Sequence, residues 1–411
     1  MSALHAFAGY GVELEYMIVD RRTLAVRPIA DRLLRAAGGG NEMQRGQLAW
    51  SNELVLHLIE LKNAEPAPAL APLAPAFQAE VDYLNGLLAA QGARLMPSAM
   101  HPWMDPRTET RLWPHDNAEI YQAFDRIFDC RAHGWANLQS MQLNLPFADD
   151  AEFARLHAAV RLLLPILPAL AASSPIAAGR PAGLLDLRLE AYRSNALQIP
   201  SITGLVIPET VTSRADYEER ILAPMYRDIA PFDPGGVLQH EWLNARGAIA
   251  HFERGAIEIR VIDMQECPQA DLAIAAASAA AIQALYDARW APLAAQQAIG
   301  TEALAAILRA CMRDAERTVI EDAGYLRLLG FPGRRGEARE LWRHLLEATL
   351  WSSAGEREVW REPLQVILDQ GPLARRIQRA LGPGWERPRL EAVYRELCDC
   401  LAAGRLFAGA P

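Results

Sequence analysis

Lysine is nearly missing from this chain: Lys62 is the single lysine among 41 basic residues. Schiff-base chemistry therefore has one candidate, and almost every positive charge is a guanidinium that keeps its proton. Cysteine is sparse too. Cys130, Cys267, Cys311, Cys398 and Cys400 form no CxxC pair and no zinc-ligand spacing, the pattern of a reduced cytoplasmic chain. The opening MSALHAFAGYGVELE lacks the basic start and the apolar core of about 7–15 residues that a secretory signal needs. The most apolar later stretch, Leu162 to Ala178, is broken by Pro165, Pro168 and Pro175 and does not read as a membrane span. The common phosphate-binding and zinc-protease devices, GxxxxGK[ST], a GxGxxG opening a helix, and HExxH, do not occur. A net charge of −9 with a pI near 5.6 argues against broad contact with nucleic acid or an anionic membrane. Small molecules are the expected partners; the sequence leaves the oligomeric state open.

What is present is a long, core-forming chain of 411 residues, 51% hydrophobic and 22% charged, enough for one large core or two ordinary ones. Four short segments alternate apolar and polar residues at the period of a strand. They are GVELEYMIVD, LVLHLIELKN from Leu54, SMQLNLPF and AIEIRVID. Helical patterning covers Pro75 to Ala93, Asp150 to Ala172, Asp271 to Leu293 and most of Glu302 to Phe407, while Gly38–Gly40, Pro97–Pro114 and Pro332–Gly336 read as loops. This order fits an α+β unit with helices packed on one side of a mainly antiparallel sheet. We expect a catalytic domain over 1–295 and a dependent helical region over 296–411.

Each strand carries polar groups that a pure core would not choose. Glu13 and Glu15 share one strand face with Met17, and Val12, Leu14, Tyr16 and Ile18 share the other. An exposed strand face is the plainer reading of that pair alone. Glu60 follows a largely apolar run, so its carboxylate is expected to be buried and to need a cation or a donor. Glu53 lies seven residues earlier, the wrong parity for a regular strand, so both can serve one site only if a bulge or turn breaks the alternation. Gln142 and Asn144 share a face of the third strand. Glu258 and Arg260 place an oxygen donor and a guanidinium together, either as an in-sheet ion pair or as a grip on a metal and an anion. Arg188 is either a surface charge or an anion clamp. His101, among prolines and a tryptophan, reads as structural or exposed.

Together these segments resemble the glutamate–cysteine ligase superfamily, its type-2 and plant-like branch, over about residues 9–295. GVELEYMIVD resembles the family's GxExE strand, SNELVLHLIELKN its second acidic strand, and AMHPWMDP its Gly-Thr-His-Pro loop. LAASSPIAAGRPAGLLDLR is similar to its Ser-Pro, glycine and arginine element, and GAIEIRVIDMQECPQADLA to its Glu-x-Arg strand and following helix. The resemblance implies a glutamine-synthetase-like fold, a curved antiparallel sheet with helices on the outer face and ATP, metals and glutamate on the concave one. It implies Glu13, Glu53, Glu60 and Glu258 as Mg²⁺ ligands, Glu15 beside the nucleotide and metals, and Arg188 and Arg260 on the phosphoryl group or a substrate carboxylate. Gln142 stands where many bacterial members have a histidine ligand, and Asp186-Leu187-Arg188 replaces a serine-containing element.

The implied chemistry is ATP-dependent amide formation through an acyl phosphate, joining an acid, glutamate by family default, to an amine such as cysteine. A ligase using an amine other than cysteine and a non-catalytic nucleotide- or metabolite-binding relative are the alternatives.

Overall fold

The computed structural model describes residues 3–352 and 354–409. Eight strands form its main sheet: β1 (Gly11–Asp20), β2 (Glu42–Arg45), β3 (Leu48–Asn52), β4 (Leu58–Asn63), β5 (Ala93–Met96), β6 (Ser140–Pro146), β7 (Ala248–His251) and β8 (Ala256–Asp263). Seven of them run in the order β2-β3-β4-β1-β6-β8-β7, the eighth, β5, pairs with β1 off this path, and every ladder is antiparallel. β1 is central: β4 lies along one edge, and β6 and β5 share the other, pairing with its first and second halves. The architecture is α+β, as the strand and helix patterning indicates.

Period-two alternation divides the sheet into two unlike faces. Leu14, Tyr16, Ile59, Leu61, Met141, Leu143, Ile257 and Ile259 are buried in one large core. Helices Leu73–Ala89, Asp150–Leu163 and Pro268–Tyr286 pack into that core. The last of these is shorter than its alanine-rich pattern suggests, stopping at Tyr286 before Pro292. The expected helix from Asp150 to Ala172 is likewise broken at Pro165 and Pro168 into a 3₁₀ turn and a short final helix, since a proline cannot donate to the helix ladder.

The helices after residue 300 divide between the faces. Residues from Leu304 to Leu368 join the large core, whereas Leu373, Ile377, Leu390, Val393, Leu397 and Phe407 form a second cluster with Met17, Val19, Leu58 and Met96. Met17 and Val19 share a face with Glu13 and Glu15. The C-terminal helices therefore cover one half of the face whose other half is polar.

The second strand departs from its expected form. The run from Leu54 is not one strand: residues 53–57 are a turn, and β4 starts at Leu58. Val55 is bridged to Leu112, and Leu56 N–H donates to Arg111 O at 2.8 Å. The loop before residue 114 thus captures backbone that would otherwise extend the ladder. β3, unmarked by clear alternation, completes a hairpin with β4.

A buried ion pair ties the C-terminal helices to the sheet. Arg376 and Glu266 are both fully buried and hydrogen-bonded; Arg376 also donates to Phe407 O at 2.7 Å, and Phe407 N–H donates to Glu266 at 3.2 Å. Removing one partner strands the other charge, which costs about 3–5 kcal/mol. Arg376→Ala is therefore expected to lower unfolding stability by about that amount in a urea titration; an unchanged midpoint would contradict this role for the pair.

Candidate active site

The polar face is assembled by register. Glu15 lies opposite Glu60 across β1 and β4, Ser51 opposite Glu60 across β3 and β4, Glu13 opposite Gln142, and Glu258 opposite Asn144. Gly11 permits the close approach of β6, because a Cβ there would lie 2.9 Å from Asn144 Cβ. Asn144 then donates to Glu13 at 3.0 Å. Glu53 follows the end of β3, outside the alternation, and the turn swings its carboxylate to the same side. Glu15, Glu53 and Glu60 each bring an oxygen within 4.8 Å of the others. The parity conflict between Glu53 and Glu60 is resolved by a turn between two strands, not by a bulge.

Each carboxylate is held. Glu15 accepts from Ser140 N–H at 2.7 Å and from the Gln142 amide nitrogen at 2.9 Å. Gln142 thus donates to Glu15 in this arrangement. Glu60 accepts from Ser51 Oγ at 2.7 Å and lies 3.4 Å from Lys62 Nζ, so the single lysine belongs to this group. Glu258 is bonded on both sides, to Arg260 Nε at 2.8 Å and to His251 Nε2 at 2.8 Å.

Burial and mutual repulsion set the protonation of the group. Burial, then the charges of Glu60 and Glu258, pushes Glu13 well above the ordinary carboxylate range. Glu15 is raised to about 6 by burial and by Glu60. Glu53 is raised well above its usual value by burial, then Glu15 and Glu60. Glu258 goes the other way: burial opposes its charge, but Arg260 and the His251 hydrogen bond outweigh it and lower the pKa.

The two arginines have different duties. Arg188, the second residue of helix Leu187–Ser194, is buried; its Nε pairs with the fully buried Asp263, and its NH groups approach Arg260 O. Asp263 also accepts from Ser173 N–H at 2.8 Å and Ser174 Oγ at 3.0 Å, which is what the Ser-Pro segment contributes. Arg188 is therefore not a surface charge; it lines the cavity from a buried position with one edge already engaged by Asp263. Arg260 sits where β8 gains a residue over β6, between the Ile259 and Ile262 pairings, and such bulges re-aim side chains beside active sites. His101 is structural: it is buried, its Nε2 lies 2.7 Å from Leu24 O, its Nδ1 accepts from Met104 N–H at 3.0 Å, and burial lowers its pKa to about 4.

Sequence reading missed His251, Asp263 and an aromatic wall. One hollow adjoins the carboxylates and a second reaches them through His251. A cavity of about 200 Å³ is lined by Glu15, Glu53, Gln142, Arg188 and Arg260 on one side, and by Tyr121, Phe124, Trp135 and Trp242 on the other. A groove of about 710 Å³ lies beyond, with His251, Arg254, Arg214, Trp242 and Phe252 among its walls. Trp242 lines both, and His251 connects the groove to Glu258.

The family profile described as glutamate–cysteine ligase family 2 matches residues 10–396. The chain belongs to that family. An uncharacterised protein of Archaeoglobus fulgidus is 38% identical over 268 residues, 65% of this chain and 72% of that protein. A putative glutamate–cysteine ligase 2-3 of Rubrobacter xylanophilus is 28% identical over 65% of this chain and 66% of that protein, and a putative glutamate–cysteine ligase 2 of Bradyrhizobium sp. strain BTAi1 is 27% identical over 66% and 59%. The matches thus span about two thirds of the length of these relatives, and less for the last. The fold is similar to the crystal structure of glutamate–cysteine ligase from Francisella tularensis in complex with AMP, with a TM-score of 0.57 at 14% identity, covering 98% of this chain and 90% of that one. No helix among the described residues is long and apolar enough to cross a membrane.

In this member of the family, the donor set suits a hard divalent cation. Three carboxylates from separate backbone positions converge with their charges unbalanced, and oxygen ligands of this kind are what Mg²⁺ takes. Between pH 4.5 and about 6 the folded chain holds a proton on Glu15 that the unfolded chain has released. Stability of the metal-free protein is therefore expected to fall by about 2 kcal/mol from this group as pH rises through that window. Mg²⁺ added at pH 7.5 should raise the melting temperature, and Glu60→Gln should remove most of that rise. A Mg²⁺-independent melting temperature in the unaltered protein would contradict the assignment.

Proposed function

We propose that this protein is an ATP- and Mg²⁺-dependent carboxylate–amine ligase that activates an acid, the γ-carboxylate of glutamate by family default, as an acyl phosphate. The observation that carries the reading is the convergence of buried and half-buried carboxylates beside a fixed guanidinium, Arg260, that lines the smaller cavity. A carboxylate is a poor electrophile because it would have to expel oxide. Phosphorylation supplies phosphate as the leaving group instead. A carboxylate oxygen of the acid attacks the γ-phosphorus of ATP, and the bond to the ADP oxygen breaks. The amine then attacks the acyl carbon, phosphate departs, and the nitrogen loses a proton.

The chain's residues divide the work by position. Glu15, Glu53 and Glu60 would hold one Mg²⁺, and Glu13 and Glu258, whose charges act on one another, would complete a second site. The cations would neutralise phosphate charge in place of a lysine-bearing loop. Arg260 faces the cavity from the bulge and would steady the transferred phosphoryl group, with no reorientation needed at the moment of transfer. Arg188, held by Asp263, would fix the backbone that presents Arg260 and add positive potential behind it. The larger groove has the volume of a nucleotide site, and its Arg214, Arg254 and Trp242 offer charge and an aromatic face; we assign ATP to it and the acid and amine to the smaller cavity.

A non-catalytic relative would not need these features together. The groups that chemistry requires, Glu13, Glu15, Glu60, Glu258 and Arg260, share one face in hydrogen-bonded order. Purified protein with ATP, Mg²⁺, glutamate and a panel of amines is expected to release ADP in an amine-dependent manner, with a product of matching mass. Glu258→Gln should lower turnover at least a hundredfold while retaining the circular dichroism of the unaltered protein. Mg²⁺-dependent ATP binding with no ADP release for any amine would refute the ligase reading.

A further inference from the structure

The wall of the smaller cavity facing the carboxylates is aromatic, and it is built rather than incidental. Helix Ala118–Phe128 carries Ile120, Tyr121, Phe124, Ile127 and Phe128 on one stripe, yet Ala123 is its one buried residue. Its apolar stripe rests partly against the main core, and Tyr121 and Phe124 also line the cavity. Phe124 lies between Trp135 and Trp242, with ring centroids at 5.2 and 5.9 Å. Leu54 and Leu138 complete this side. Gly134 keeps it close to the floor, because a Cβ there would meet Ala191 O at 2.4 Å. Tyr121 marks the boundary: its hydroxyl is bonded to Asn52 at 3.0 Å, and burial and then Glu53 push its pKa up to about 12.

We propose that the amine acceptor of this enzyme carries an aromatic or similarly bulky apolar group, which this wall receives; the proposal rests on the ligase reading above. Glutamate brings three charged groups, and the cavity's charged groups, Arg260, Arg188 and the carboxylates that would hold cations, lie on or against the sheet, away from Phe124, Trp135 and Trp242. The aromatic side offers no charge to balance an α-carboxylate or ammonium, so it falls to the second substrate. Leu54, Phe124, Trp135, Leu138 and Trp242 give this side an apolar lining, the kind of surface that accepts a benzene ring. The CH₂SH of cysteine would leave most of the aromatic surface unfilled. An aryl group attached to a primary amine fills it and leaves the nitrogen at the carboxylate end, where the acyl phosphate forms.

The test measures kcat/KM with ATP, Mg²⁺ and glutamate for 2-phenylethylamine, ethylamine and cysteine, with hydroxylamine as a small nucleophile that reports the activated acyl group. 2-Phenylethylamine is expected to exceed both ethylamine and cysteine at least tenfold, and Phe124→Ala to reduce the phenylethylamine-to-ethylamine ratio at least fivefold. Hydroxamate formation together with equal or better use of cysteine would overturn the aromatic acceptor and leave the ligase reading intact. Absence of ADP and hydroxamate with every nucleophile would refute the ligase reading itself. Calorimetric titration then decides the pocket directly: tenfold tighter binding of 2-phenylethylamine than of ethylamine, lost in Trp135→Ala, supports it, and equal binding overturns it.

Discussion

Like charges buried together on one face of a β-sheet are the constraint around which this molecule is arranged. Glu15 and Glu60 are buried and Glu13 and Glu53 half-buried beside them, and three of the four are driven toward protonation by burial and repulsion. A fold that merely needed a sheet would place apolar or well-separated polar groups there. The opposite face does so, with Leu14, Tyr16, Ile59 and Leu143 sunk in the main core. The same backbone alternation that secures the core thus forces Glu13, Glu15 and Glu60 onto one face, the turn after β3 adds Glu53, and the energetic penalty is offset where a divalent cation can bind.

Much of the surrounding structure keeps this face in order. β6 approaches β1 closely at Gly11 and supplies Ser140, Gln142 and Asn144 as donors to two of the carboxylates. The bulge in β8 brings Arg260 against Glu258, and the Asp263–Arg188 pair anchors the backbone immediately beyond. Where the polar face ends at Met17 and Val19, the C-terminal helices close over it, and the Arg376–Glu266 pair locks them to the segment that follows β8. The helical third of the chain, unremarkable in its own sequence, is thereby connected to the arginine-bearing strand.

The legible part of this design was the part carried by period. Alternation in GVELEYMIVD and AIEIRVID placed Glu13 with Glu15 and Glu258 with Arg260, and both pairings hold in the sheet. Glu53 and Glu60 have incompatible parity in a continuous strand, but residues 53–57 form a turn. What sets that turn is Arg111 and Leu112, distant in sequence and without periodic signal. His251, Asp263 and the aromatic wall were invisible for a related reason. His251 matters because β7 lies beside β8, Asp263 because Ser173, Ser174 and Arg188 converge on it, and Phe124 because Trp135 and Trp242 meet its ring. Single residues of ordinary type acquire a role only through such long-range neighbours.

The central claim is that the carboxylates of the polar face hold divalent cations, and anomalous diffraction from crystals grown with Mn²⁺ and a non-hydrolysable ATP analogue tests it most directly. The account predicts an anomalous peak at bonding distance from carboxylate oxygens of Glu15, Glu53 and Glu60, with phosphate oxygens completing the coordination. Well-ordered nucleotide in a crystal whose three carboxylates carry no anomalous density would contradict it.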